Sequence, residues 1–196
     1  MGRRRARVSR ATRRSILVAA LLTVAFVFPA QLAWTQSRPT TEYEVKAAFL
    51  FNFAKFIEWP PNGFASPQSP MAICVLGENP FGNILDDTLG GKMIGNRPLE
   101  ARRLRDKAEA RHCQVVFVSS SESARLAEII ESLRGANVLL VGESNGFAAS
   151  GGTIQFTIGD SRVRFTINID AVNRANLMFS SKLLSLAKIV HDQGHS

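Results

Sequence analysis

Residues 42–59 form an apolar stretch that contains neither glycine nor proline and ends at Pro60 and Pro61. At the helical spacing of 100° per residue, its polar side chains gather in one narrow stripe: Glu44, Asn52, Lys55 and Glu58. This pattern predicts a helix that packs on two sides, against a sheet and against a second helix or a partner chain. We interpret most of it as core, and its end near Trp59 as a candidate contact with another protein.

Three short apolar runs with little alternation follow, at residues 71–77, 113–119 and 137–141. Such runs are typical of strands that are buried on both faces, as in a parallel sheet. Residues 80–89 and 121–133 lie between them, have helical patterns, and are each followed closely by glycine. The order strand, helix, strand, helix, strand predicts an α/β layered domain.

The C-terminal third has a different pattern. Residues 153–158 and 162–169 alternate strictly and are joined by a short turn, which predicts an antiparallel hairpin. Residues 171–179 and 182–191 have helical patterns. Asp170 or Asn168 can cap the first of these helices, and the second would pack against the opening helix. Residues 98–104 also alternate and are predicted as an edge strand that starts at proline. Together these patterns predict a mixed sheet of about five to six strands, with a parallel core, a C-terminal hairpin and helices on both faces.

The N-terminus has the features of an export signal. The first 41 residues contain no acidic side chain, and seven of the first fourteen are arginine. An apolar run at residues 16–28 and then small residues follow, which predicts a cleavable signal peptide over residues 1–33, cut near Ala33. A single domain at residues 42–192 comes next. An uncleaved membrane anchor over residues 16–34 is the alternative. Neither cysteine lies near the cleavage point, so no direct lipid anchor is expected.

The charge of the chain is concentrated in this signal. The chain has 24 basic and 16 acidic residues, a net charge of +8. Without the seven N-terminal arginines, 17 basic residues face 16 acidic ones. The high pI therefore does not indicate nucleic-acid binding. Because the arginines include the pair Arg13-Arg14, the twin-arginine route and the general secretory route both remain open for export.

No catalytic constellation can be assembled from the sequence. The histidines His112, His191 and His195 have no metal-ligand spacing with cysteine or carboxylate residues. The glycine pair at residues 77–82 lacks the lysine and hydroxyl residue that would hold a phosphate. The pair Asp86-Asp87 has the pattern of a solvated helix face. We therefore predict a non-enzymatic protein without a metal or other cofactor.

Cys74 and Cys113 are the only cysteines, and each lies near the start of a predicted buried strand. If those strands are parallel neighbours, the two residues stand at similar heights, where a disulfide is possible. An exported compartment favours its oxidation, and two buried thiols are the alternative. Closing a loop of 38 intervening residues would stabilise the fold by roughly 4 kcal/mol on the chain-entropy model.

Four segments of the chain resemble the YfiR family of periplasmic regulators. They are YEVKAAFLFNFAKFIEWP at 43–60, ICVLGENPFG at 73–82, CQVVFVSSSE at 113–122 and VRFTINIDAVNRANLMFSSKLLSLAKIV at 163–190. The last motif is the longest and most specific, and the resemblance runs through nearly the whole mature chain.

The resemblance implies a three-layer α/β domain that works in the periplasm as a homodimer. Family members repress an inner-membrane diguanylate cyclase by binding its periplasmic sensor portion, and their release raises cyclic-di-GMP and promotes biofilm. The positions of Cys74 and Cys113 match a family disulfide. Better-known members carry a second cysteine pair around residues 148–155, where this chain has none. For the partner contact we select Glu58 and Trp59.

Three functional hypotheses follow from these features. The first is a non-enzymatic periplasmic regulator whose partner is a diguanylate cyclase or a similar membrane sensor. The second is a small-ligand sensor of the same fold, with a pocket at the strand ends near residues 77–83. The third, a secreted enzyme, is the weakest because no catalytic constellation is present.

Overall fold

The structure is a computed structural model that describes residues 41–192. The predicted signal peptide over residues 1–33 lies outside the described residues. The helices in the described range are α1 (Glu42–Phe56), α2 (Ile84–Leu89), α3 (Leu126–Ser132), α4 (Ile169–Arg174) and α5 (Ser181–Leu184). The strands are β1 (Ile57–Glu58), β2 (Met71–Leu76), β3 (Met93–Ile94), β4 (Arg97–Leu104), β5 (Val115–Val118), β6 (Leu139–Gly142), β7 (Ile154–Gly159), β8 (Arg162–Asn168), β9 (Met178–Phe179) and β10 (Lys188–Val190).

Eight of these strands form one mixed sheet in the order β10-β8-β7-β6-β5-β2-β4-β3. All neighbours are parallel except the β7–β8 hairpin and the β3–β4 pair. The predicted mixed sheet with a parallel core and a C-terminal hairpin is therefore confirmed. The sheet exceeds the expected five to six strands because two short strands, β3 and β10, extend its edges.

Side chains of the sheet alternate between two separate cores. The first, which we call the aromatic face, is covered by α1, α2 and α5 and includes Ile73, Val75, Phe117, Val141, Phe156 and Phe165. The second, which we call the disulfide face, is covered by α3 and includes Ala72, Cys74, Leu76, Val116, Val118 and Leu140. The result is three layers, helix on sheet on helix, as predicted.

The opening helix begins at a capping box, in which the Thr41 side chain accepts from the Glu44 amide while the Glu44 carboxylate accepts from the Thr41 amide. It ends at Phe56 and not at residue 59 as predicted. Trp59 precedes Pro60, and a residue before proline disfavours the helical conformation. Residues 57 and 58 instead form β1, which pairs with β9.

The predicted helix over residues 182–191 is wrong. Helix α5 stops at Leu184, and Lys188–Val190 adds to the sheet as β10, parallel to β8. The edge of β8 offers unpaired backbone groups, and hydrogen bonds to that edge outweigh the local helical pattern. The predicted packing against the opening helix is kept only by α5, whose Leu183 is buried in the same core as α1.

The predicted helix over residues 171–179 is also shorter. Helix α4 covers Ile169–Arg174, and Asn176 has a left-handed φ of 52°, which ends the helical path before β9. Asn168, one of two predicted caps, is fully buried and its side-chain oxygen accepts from the amides of Asp170 and Ala171.

Candidate functional sites

The first candidate site surrounds Glu58 and Trp59, the predicted partner contact. Glu58 lies directly opposite Met178 in the β1–β9 pair, and both side chains are exposed. Met178 is 64% exposed. Trp59 is half-buried, and its Nε1–H donates to the Ala54 carbonyl at 3.2 Å. The neighbours of Glu58 and Met178, Ile57 and Phe179, turn the other way and pack with the core.

Charged and aromatic groups continue this surface. The ammonium groups of Lys55 and Lys182 lie 5.6 and 5.5 Å from the ring centre of Phe56. We call Lys55, Phe56, Glu58, Trp59 and Met178 the β1/β9 surface. Methionine and aromatic residues are enriched at protein–protein contacts. The sequence pattern does not single out Met178, because residues 171–179 read as one helix.

The second candidate site is a cleft of about 490 Å³ at the carboxyl ends of β5 and β6. Ser120 comes shortly after β5, and Glu143 comes directly after β6. The first turns of α1 supply Tyr43 and Lys46, and β7 supplies polar side chains on the other side. Open α/β sheets bind ligands at this edge, outside the carboxyl ends of their strands.

Lys46 is the central group of this cleft. It is only 3% exposed, and its ammonium donates to Glu143 at 2.5 Å and also to Glu42. The Tyr43 hydroxyl lies 3.3 Å from the Glu143 carboxylate. Burial alone would lower the pKa of Lys46, but the hydrogen bonds and charges of Glu143 and Glu42 raise it above its ordinary value. Burial, together with the Glu143 charge, also raises the pKa of Tyr43.

This cluster was not among the predicted site residues. A single lysine on the apolar side of a helix is the signal that could have revealed it, because a buried ammonium requires a partner carboxylate. The identity of the partner, 97 residues away along the chain, becomes visible only in the fold.

At the loop of residues 77–83, where the sequence predicts a pocket, Phe81 is buried while Glu78, Asn79, Gly82 and Asn83 are exposed. Gly77 has a φ of 90°, and a Cβ there would lie 2.5 Å from the Ser121 hydroxyl oxygen. Phe81 is buried with its ring centre 5.4 Å from that of Tyr43 and 4.9 Å from that of Phe117. Tyr43 thus contacts Phe81 and also lines the cleft described above.

A disulfide joins Cys74 to Cys113, with 6.2 Å between their Cα atoms. Cys74 lies in β2, opposite Val116 of the neighbouring strand β5. Cys113 is not at the same height, because it precedes β5 and caps a 3₁₀ helix at Lys107–His112. The bridge thus ties the sheet to the segment that covers its disulfide face.

Within residues 41–192, no three His, Cys, Asp or Glu side chains gather closely enough to hold a metal ion. None of the helices described above is long and apolar enough to cross a membrane.

The fold is that of an α/β sandwich built on a mixed sheet, and comparisons with known proteins give the family. A family model described as YfiR/HmsC-like matches residues 43–188. The chain belongs to this family, which is periplasmic and regulatory.

Solved structures share the fold at low sequence identity. A conserved domain protein from Vibrio cholerae superposes with a TM-score of 0.52 at 10% identity, over 76% of this chain and 60% of that one. The ABC domain from Streptococcus pneumoniae in complex with L-Trp gives a TM-score of 0.52 at 10% identity, over 74% of this chain and 60% of that one. This chain thus spans about 60% of the length of either protein, and the likeness extends to the α/β fold alone.

Proposed function

We propose that the chain is a non-enzymatic periplasmic regulator that binds and represses the periplasmic sensor portion of an inner-membrane diguanylate cyclase. The observation that carries this proposal is the family match over residues 43–188. The signal peptide predicted over residues 1–33 supports the compartment. Repression of a membrane cyclase requires only a folded domain with a contact surface, and the exposed side chains of Glu58 and Met178 support such a role.

The β1/β9 surface is the contact that we assign to this partner. The exposed side chains of Glu58 and Met178 lie side by side, while the core is built by their neighbours Ile57 and Phe179. Exposed positions outside the core can change without a large loss of stability. Substitutions at Glu58 and Met178 should therefore separate binding from folding. As the resemblance implies, we propose that the regulator acts as a homodimer.

Deletion of the gene, followed by measurement of cellular cyclic-di-GMP, tests the proposal. We expect cyclic-di-GMP to rise, and the wild-type gene to restore it. Met178→Asp should fail to restore it although the variant is exported and melts normally. Arg105→Glu changes an exposed basic residue that directly follows β4 of the eight-stranded sheet, to which neither β1 nor β9 belongs, and it should restore cyclic-di-GMP to its normal level. Unchanged cyclic-di-GMP in the deletion strain would exclude a cyclase as the partner.

A second candidate function is the sensing of a small ligand, and the cleft around Lys46 favours it. The cleft combines a buried ammonium, two carboxylates and several hydroxyl and amide groups, a combination suited to a small polar or zwitterionic molecule. Thermal melting with and without each of the twenty free amino acids tests it, and L-Trp is the first compound to try. A shift that disappears in Lys46→Met would support this function, and twenty unchanged melting curves would remove amino acids as ligands.

A further inference from the structure

Strand β8 has a free edge over half of its length. On one side, β7 pairs with β8 from Arg162 to Ile167. On the other side, β10 pairs only with Thr166, Ile167 and Asn168. Within residues 41–192, no strand therefore pairs with residues 162–165 on their outer side. Because successive backbone groups of a strand point to opposite sides, about half of the amides and carbonyls of these residues face this gap.

The gap is a groove of about 530 Å³. Leu186 and Lys188 border it. In the segment between α5 and β10, the Ala187 amide donates to the Leu184 carbonyl at 3.2 Å, and pairing with β8 starts only at Lys188. The apolar lining consists of Phe49, Val163, Phe165 and Leu186. Leu186 is 67% exposed, so its side chain contributes an apolar wall that nothing in residues 41–192 covers.

The charged residues that line the groove are all basic. Arg162, Arg164 and Lys188 line it. Arg164 is paired with Asp160 at 2.6 Å. Arg162 and Lys188 form no salt bridge with any residue of the described range. The groove thus combines a free strand edge, an apolar wall and two cations that are available for a partner.

We infer that the free half of β8 is a docking edge for an extended acidic segment of a partner protein, which adds to the sheet as a strand end to end with β10. Main-chain hydrogen bonds would supply affinity, and alternate side chains would meet the apolar wall and the cations. A second copy of this chain fits less well, since a symmetric contact would bring the same cations together. The inference concerns the mode of docking, and it stands whichever protein supplies the segment.

A labelled heptapeptide of alternating valine and glutamate is the probe, and fluorescence anisotropy with the purified mature protein is the measurement. We expect the peptide to bind, and a valine–lysine peptide of the same length not to bind. Arg162→Glu and Lys188→Glu should each weaken binding at least about tenfold, because they replace attraction by repulsion. Arg105→Glu is the matched control and should leave the affinity unchanged. The inference would be overturned if the wild type and the three variants bound the valine–glutamate peptide equally, or if the wild type did not bind it.

Backbone pairing is tested with two further peptides of the same sequence, in which every second amide is N-methylated in one register or the other. Strand addition predicts that one methylated peptide loses binding and the other keeps it, because only one set of amides faces β8. Equal binding of both would show a purely electrostatic contact and overturn strand addition. Sedimentation of the free protein tests whether a second copy of this chain occupies the same edge. If the protein self-associates and Lys188→Glu changes that self-association, the edge binds a second copy, and the acidic partner is overturned.

Discussion

The two faces of the sheet are stabilised in different ways. On the aromatic face, a helix of 15 residues covers the sheet, and the ring of Phe53 lies 5.1 Å from that of Phe165 and 5.8 Å from that of Phe156. On the disulfide face, the α-helix has 7 residues, and 3₁₀ turns provide much of the remaining cover. The covalent bond between Cys74 and Cys113 lies on this face.

This difference suggests that a covalent cross-link can take the place of a long helix packed on the sheet. Large buried rings remove much apolar area from water and need a long helix to cover them. The disulfide face has mostly aliphatic side chains, and it is held by a short helix and a covalent bond. Its one large ring, Phe147, fits only between glycines: a Cβ at Gly142 or Gly152 would come within 2.3 or 2.1 Å of it.

The largest effect should come from the aromatic face. Phe53→Ala removes a fully buried ring and should cost about 3–5 kcal/mol in the free energy of unfolding. Urea denaturation measures it, with Ala48→Ser on the exposed side of the same helix as the control. A loss below about 1 kcal/mol, the range of surface substitutions, would show that this face does not depend on its rings.

The next effect should come from the disulfide. Cys74→Ser frees the unfolded chain and should lower the free energy of unfolding by about 2–4 kcal/mol. Because Cys74→Ser and Cys113→Ser break the same bond, the double variant should be little worse than either single one. Mass spectrometry under non-reducing conditions gives the starting point. Two free thiols in the exported protein would contradict the cross-linked face.

A smaller effect is expected at Lys46, at the edge of the aromatic face. Lys46→Met leaves Glu143 without its ammonium and should cost about 1–3 kcal/mol. Lys55→Met, on the exposed side of the same helix, should change stability little. If both variants unfold at the same urea concentration, the buried ion pair has no net role in folding.

The Lys46 pair also predicts a response to alkaline pH. The folded pKa of Lys46 is raised by Glu143 and Glu42 against the opposing effect of burial. The contribution of the Lys46 ion pair to folding stability is therefore fully present below the unfolded pKa of lysine, about 10.4. It is lost as pH rises through the folded pKa of Lys46. Between these two pKa values, the free energy of unfolding should fall more steeply with pH for wild type than for Lys46→Met. Parallel pH profiles of the two proteins would show that the Lys46 pair does not cause the loss.

The smallest effect concerns the C-terminal end of the sheet. The Asp192 amide, and then His191, lower the pKa of Asp170, and Arg174 lowers the pKa of Asp192. Such groups stabilise the fold above their unfolded pKa, about 3.9, and lose that contribution as pH falls through the folded pKa. Backbone NMR signals of β10 should therefore change in acid before those of β5. If the signals of β10 and β5 change at the same pH, the contacts of Asp170 and Asp192 do not stabilise β10 independently of the rest of the sheet.

Patterns that local physics determines could be predicted from the sequence. The strict alternation of β7 and β8 gives their hairpin, and Asn168 is a cap because its side chain reaches the amides of the next turn. Short apolar runs predict β2, β5 and β6, because a strand that is buried on both faces does not alternate between apolar and polar residues.

Features that depend on distant partners could not be predicted. Leucines at residues 183, 184 and 186 have helical spacing, yet the free edge of β8 makes Lys188–Val190 a strand. The pairing of Lys46 with Glu143 and the position of Met178 beside Glu58 arise in the same way, because sheet topology brings together residues that are far apart along the chain.

In the function that we propose, this domain binds the periplasmic portion of a membrane sensor through the β1/β9 surface. Isothermal titration of the purified mature protein into the purified periplasmic portion of the partner cyclase tests it most directly. We expect saturable binding that Met178→Asp abolishes and Arg105→Glu preserves, with both variants melting like wild type. Binding that Met178→Asp leaves unchanged would move the contact elsewhere, and absence of binding by the wild-type protein would contradict the claim.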